Sequence, residues 1–268
     1  MANSVERYYQ KKKRRKKRAK MVFFTLLFVL MLLTLAILSV TVFFNAEEIE
    51  VEGNEHYTAQ ELLDAGHLKV GQNLFRMNKF EVIDQMKALP YVKDVTIKRR
   101  LPGKLRITVT ENEPVVWIPY GNGAALLNEE YRVLETVEFP PQPPEGEEPL
   151  PSPVAGIPQL TGQVADHVNV GETVTFGETD FTGFLDRLYQ GFMKDSDLKW
   201  EEVLEVQLLA RYNVKVLYHQ SITIDFGTLD RADTKVKLAA YLLKDNGLTQ
   251  AAVVDVTNPD RVYYRPKK

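Results

Sequence analysis

Four histidines, His56, His67, His167 and His219, are the first residues to test for chemistry, because imidazole is the commonest metal ligand and general base. They lie far apart, none falls in H-E-x-x-H, and the chain has no cysteine, so no spacing brings a zinc-type ligand set together. Ser196-Asp197-Leu198-Lys199 spells S-x-x-K, in which a lysine amine could activate a serine nucleophile. The accompanying S-D-N and K-T-G elements are absent, and the tetrad falls in a polar stretch after a helix. There is no G-x-S-x-G elbow. Gly121-Asn122-Gly123 lacks the third glycine and the long helix of a dinucleotide site and reads as a hairpin tip. The acidic pairs Glu129/Glu130 and Glu147/Glu148 sit in polar stretches, where nothing would split their pKa values for acid–base work. The reading is therefore of a chain that is not an enzyme and holds no cofactor and no metal. One charged group stands out: Lys98, Arg99, Arg100 and Lys104, with Arg106 beside them, form a basic cluster in an acidic region. It is either a solvated hairpin tip or a contact for anionic headgroups, wall polymer or an acidic partner.

Composition divides the chain. Residues 1–20 carry ten Lys/Arg against one acid, and Met21 to Phe44 carry no charge at all. The remaining 24 Lys/Arg and 35 Asp/Glu all lie beyond them, a net charge of −11. The uncharged run predicts a transmembrane helix over 21–44, and the basic flank predicts a cytoplasmic N-terminus with the C-terminus outside the cell. A cleaved signal peptide is the competing reading; its apolar stretch is usually about 7–15 residues and ends in small residues, neither of which holds here. The basic tail suits membrane lipids, and nucleic acid is not expected as a partner. The lack of cysteine excludes disulfides, so burial alone must hold the outer part together.

The elements that would position any site follow from periodicity. Ile49-Glu50-Val51-Glu52 alternates apolar and acidic residues as a strand does. Thr58-Ala59-Gln60-Glu61 is a capping box opening a short helix with Ala59, Leu62 and Leu63 inward, and Gly66 sits where a C′ glycine belongs. A second helix, 79–89, is capped by Asn78, turns Phe80, Ile83 and Met86 inward and stops at Pro90. Two alternating strands, 95–99 and 105–110, form a hairpin around 101–104. Short strands follow at 115–118, 124–127 and 131–134. A proline-rich segment, 140–153, cannot pack a core. Amphipathic helices are predicted over 181–193 and 230–246, a three-strand run over 204–226, and closing strands at 252–256 and 261–264.

These residues resemble a known family. Ile49 to Asn54 with the Thr58 cap looks like the opening of a POTRA domain, and Leu89 to Pro114, with its Pro-x-Val entry, Arg-x-x-Pro turn and closing acid–Pro, looks like the end of an FtsQ-type POTRA. Ile157 to Gly162 and Val254-Asp255-Val256 resemble elements of the β domain that follows. The chain is thus similar to the bacterial division proteins DivIB and FtsQ. The resemblance implies an α+β fold: a transmembrane helix, a POTRA domain of β-α-α-β-β order, then a mixed β domain with two amphipathic helices. The expected boundaries are a basic tail over 1–20, the spanning helix over 21–44, the POTRA domain over 46–114, the β domain over 115–264 and a short tail over 265–268. Thr257-Asn258 stands where Gram-negative members tend to have Arg-Tyr, so that partner contact is not carried over.

The family implies a non-enzymatic scaffold in the cell membrane at the division septum. It binds DivIC (FtsB in Gram-negative bacteria) and FtsL, along with other divisome proteins, and helps regulate septal peptidoglycan synthesis. The alternatives are a membrane-anchored wall enzyme built on Ser196 and Lys199, or a POTRA-type chaperone or transport component. Within this reading the final strands are the partner surface, because an open strand can be continued by a partner segment. Val253, Val254, Asp255, Val256, Val262, Tyr263 and Tyr264 are its expected residues. Tyr263 and Tyr264 should face opposite ways, one toward the core and one toward the partner.

Overall fold

In the computed structural model, residues 20–35 are helical, as are 37–38. Among the described residues no helix is long and apolar enough to cross a membrane. This overturns the transmembrane helix expected over 21–44, and with it the single-pass topology and the extracellular C-terminus. The structure describes residues 17, 20–35, 37–38, 43–140, 152–177, 179–194, 197–219, 221–246 and 251–267. Most of the proline-rich segment and Ser196 lie outside them.

The chain divides into two units, Met1–Met86 with Val95–Val109, and Lys87–Asp94 with Thr110–Lys268. In the first, strand β1 (Glu48–Glu52) is followed by helices α1 (Ala59–Ala65) and α2 (Lys79–Lys87) and strands β2 (Val92–Arg100) and β3 (Lys104–Glu111), in the sheet order β1-β3-β2. β1 runs parallel to β3, with Ile49 opposite Leu105 and Val51 opposite Ile107. The capping box forms: the Glu61 amide donates to Thr58 Oγ1 at 3.3 Å and the Thr58 amide to Glu61 Oε2 at 2.8 Å.

Two local expectations fail for packing reasons. Gly66 is not left-handed; His67, at φ 50°, takes that conformation instead. A Cβ at Gly66 would sit 2.7 Å from Met86 Cε, so close approach of α2 is what requires glycine there. On α2 the buried residues are Val82 and Met86, while Phe80 is exposed. The inward face is set by the pair at i and i+4 rather than by the run starting at Phe80.

The second unit is built on one nine-stranded mixed sheet. Its strands are β4 (Val116–Tyr120), β5 (Gly123–Leu127), β6 (Val133–Glu138), β7 (Gln159–Thr161), β8 (Val203–Ala210), β9 (Asn213–Tyr218), β10 (Ile222–Gly227), β11 (Ala252–Asn258) and β12 (Arg261–Pro266). Their order is β12-β11-β10-β9-β8-β7-β4-β5-β6. Helices α3 (Phe184–Met193) and α4 (Ala232–Asn246) contribute Leu185, Leu188, Phe192, Val236, Ala239 and Leu243 to a core shared with Val206, Val216, Ile224 and Val254. Gly191 lets the two helices meet, since a Cβ there would lie 3.1 Å from Val236 Cγ2. The β10-α4-β11 crossover makes β11 parallel to β10, with Ile222 opposite Ala252 and Asp225 opposite Asp255. Lys235, 2% exposed, donates to the carbonyl oxygens of Phe226 and Thr228 at 2.8 and 2.7 Å, and burial lowers its pKa.

A buried polar network ties residues 87–94 into this unit. Arg132 Nη2 donates to the Lys87 carbonyl at 3.0 Å, and Asn112 Nδ2 to the Pro90 carbonyl at 3.1 Å. Asn128 Nδ2 donates to Asn112 Oδ1 at 3.1 Å, and Lys93 pairs with the buried Glu129, which raises the lysine pKa.

Candidate functional site

β11 and β12 are the last strands in the chain, and among the described residues β12 is an open edge of the sheet, at the end opposite β6. Their turn is held by short polar side chains: Asp255 Oδ1 accepts from the Thr257 amide at 3.1 Å, and Asn258 Oδ1 from the Asp260 amide at 3.0 Å. β12 then returns antiparallel, with Val253 opposite Arg265, Val254 opposite Tyr264 and Asp255 opposite Tyr263. The expected partner residues fall on two faces. Val254 and Val256 are fully buried, and Val262 and Tyr264 pack against the same core. Val253 and Asp255 are half-buried on the other face, where Tyr263 stands 50% exposed. The two tyrosines therefore divide between core and solvent, as strand alternation requires.

The backbone of β12 has a fixed polarity. The Lys267 amide donates to the Ala251 carbonyl at 2.7 Å, so residue 267 faces β11. In an antiparallel pair the N–H and C=O groups of alternate residues point the same way. Arg265 and Tyr263 hence also face β11, while Val262 and Tyr264 turn their N–H and C=O groups to the open edge. Pro266 falls in the outward register too, where its missing donor removes nothing from the ladder.

The face carrying Tyr263 is charged in rows. Lys215 Nζ lies 3.2 Å from Asp225 Oδ2, Asp225 stands beside Asp255, and Arg265 Nη2 lies 3.8 Å from Asp255 Oδ2. Neither Asp225 nor the cations at 261 and 265 were singled out from the sequence. The signal that could have found the cations is the alternation Arg261, Tyr263, Arg265, Lys267 in the last strand.

The basic cluster of the first unit does not form one patch. Arg99 lies on the inner side of β2, where its Nη2 donates to the Met77 carbonyl at 3.0 Å and its guanidinium sits 5.8 Å from the Phe75 ring centre. Lys104 pairs with Glu48 on the outer side, and that hydrogen bond raises its pKa. Lys98 and Arg100 are exposed.

The remaining candidates for chemistry are separate. His219 Nε2 lies 3.0 Å from Glu202 Oε2, which also accepts from the Tyr218 hydroxyl. The Lys199 amide donates to Tyr218 Oη at 3.3 Å. Among the described residues no three His, Asp or Glu side chains converge as metal ligands. A cavity of about 550 Å³ lined by Glu130, Tyr131, Thr175, Asp180, Thr182 and Asp186 opens beside α3. The Asp180 carboxylate there is occupied by the Thr182 hydroxyl and amide, which lower its pKa.

Residues 44–112 match the family model for the POTRA domain, FtsQ-type. The chain is 26% identical over 231 residues to the cell division protein DivIB of Clostridium botulinum strain Hall, covering 84% of this chain and 83% of that one. It is 32% identical to DivIB of Clostridium acetobutylicum over 93 residues, 35% of this chain and 37% of that one. It is 27% identical to FtsQ of Mycobacterium leprae over 226 residues, 83% of this chain and 56% of that one. The similarity to DivIB and FtsQ is supported, and the expected single-pass membrane description is corrected, since among the described residues no helix is long and apolar enough to cross a membrane. The relatives are cell division proteins, and the similarity to them supports a general, non-enzymatic scaffold role.

Proposed function

We propose that this scaffold binds DivIC and FtsL, with the open edge of β12 as the docking site, and so helps regulate the complex controlling septal peptidoglycan synthesis. In this reading a POTRA domain over 46–114 precedes a β domain over 115–264 that carries the edge. The observation supporting it is the orientation of β12: the backbone groups of Val262 and Tyr264 face outward while Tyr263 is exposed beside them. An added strand would gain main-chain hydrogen bonds from the first and an aromatic contact from the second. The test is a titration of the purified full chain with DivIC, beside a chain ending at Asn258. Loss of binding with the first unit still folded is the expected result. Equal affinity for both chains would move the interface away from the edge.

A further inference from the structure

The edge strand has the opposite charge to the region that carries it. Residues 21–260 hold 20 Lys/Arg against 35 Asp/Glu, whereas residues 261–268 hold four Lys/Arg and no acid. Three of those cations, Arg261, Arg265 and Lys267, alternate with Tyr263 in the same two-residue phase, so all four side chains leave β12 on one face. That face is the one opposite the core, since Val262 and Tyr264 occupy the other phase. The cations are poorly matched within the chain. Arg265 is 70% exposed, and its 3.8 Å approach to Asp255 is at the outer limit of an ion pair. Asp255 in turn accepts from the Thr257 amide and hydroxyl. Arg261 is exposed and makes no ion pair among the described residues, and Lys267 Nζ donates to the neutral Thr223 hydroxyl at 3.0 Å. Across the sheet the row therefore runs from the cation Lys215 to the anions Asp225 and Asp255 and then to Tyr263 on β12, with Arg265 reaching diagonally to Asp255, and among the described residues no strand pairs beyond β12.

We infer that the segment added to β12 is an acidic strand, with carboxylates at alternate positions facing Arg261, Arg265 and Lys267 and apolar residues in the other phase. The inference rests on the edge-pairing reading above and adds the chemistry of the partner. It follows from pairing geometry. A strand hydrogen-bonded to β12 lies about 4.8 Å away, and its residues share faces with those they oppose, whether it runs parallel or antiparallel. Carboxylates would thus fall beside the three cations, and like charges there would repel. The partner's other phase would continue the apolar layer of Val262 and Tyr264.

The test uses the full chain and two synthetic eight-residue peptides, one alternating Glu with Val and the other alternating Lys with Val. Amide exchange at Val262 and Tyr264 reports edge pairing, because those N–H groups face the open lane. The Glu peptide should protect both amides and bind about tenfold more tightly than the Lys peptide at low salt, a preference that fades as salt screens it. The double variant Arg261→Glu/Arg265→Glu should reverse the preference, with its far-ultraviolet circular dichroism unchanged. Protection by both peptides with equal affinity would overturn the acidic-strand inference and leave the edge reading standing. Protection by neither would overturn the edge reading itself.

Discussion

Single side chains in this fold separate into those whose charge is spent on the chain itself and those left for solvent. Lys235 is the extreme case of the first kind. Lys235→Met removes the donor for two carbonyl groups and should lower stability by about 1–3 kcal/mol in urea unfolding. Because burial lowers its folded pKa, the wild type should gain on that variant as pH rises through the folded pKa toward the ordinary lysine value. Glu50 runs the other way. Its hydrogen bond from Arg106 holds its pKa below the usual carboxylate range. Its contribution is complete above the unfolded carboxylate pKa and is lost as pH falls through the folded one. Urea midpoints of the wild type and Glu50→Gln should differ at neutral pH and converge in acid. Ile107 is fully buried, so Ile107→Asp places an unpaired carboxylate in the first core and should unfold that unit, read by loss of amide protection. Arg100→Ala removes only an exposed cation and should leave the melting temperature nearly unchanged. Arg99 shows why side-chain roles were harder to read than burial: its charge suggests solvent, but a carbonyl and an aromatic ring hold it to the inner side of its strand.

At the scale of elements, alternation made β1, β3 and β8 to β12 legible, since a half-buried strand writes its two faces into the chain. α3 was legible for the analogous reason at a period of 3.6, although it begins at Phe184 rather than Phe181. Phe181 is nonetheless buried, in the turn before the helix. β7 was not read as a strand. It is three residues long and pairs parallel to β4 and β8, whose partners lie some 40 residues away in sequence on either side. The edge strand was legible in position and in the division of its tyrosines, while its backbone polarity needed one hydrogen bond to fix it. That polarity gives a sharper test than truncation. Val262→Pro deletes an outward donor, so it should weaken DivIC binding by about fivefold relative to Val262→Ala, which loses only packing. Equal affinities in a titration of the two variants would show that the partner takes no hydrogen bond from residue 262.

For the whole molecule, composition and periodicity could not supply the sheet order. Placing β12 and β6 at opposite ends of one sheet depends on parallel pairings across a helix crossover, which no local window contains. The membrane-spanning helix is the opposite case: the uncharged run over 21–44 predicts one continuous span, and among the described residues no helix is long and apolar enough to cross a membrane. Each unit has its own buried side chains, so Ile107→Asp should leave amide protection in the nine-stranded sheet intact. An open strand on a sheet of this size is also a hazard, because the simplest strand available to any copy is the same strand of another. Here that encounter would set eight cations against one another with no acid among them in residues 261–268. The edge is thus closed to its own kind while open to a stranger of opposite charge, and the protein can stay dispersed with a sticky border exposed. High salt should weaken that self-avoidance, and sedimentation across a salt series would register it as association that the Asn258 truncation abolishes.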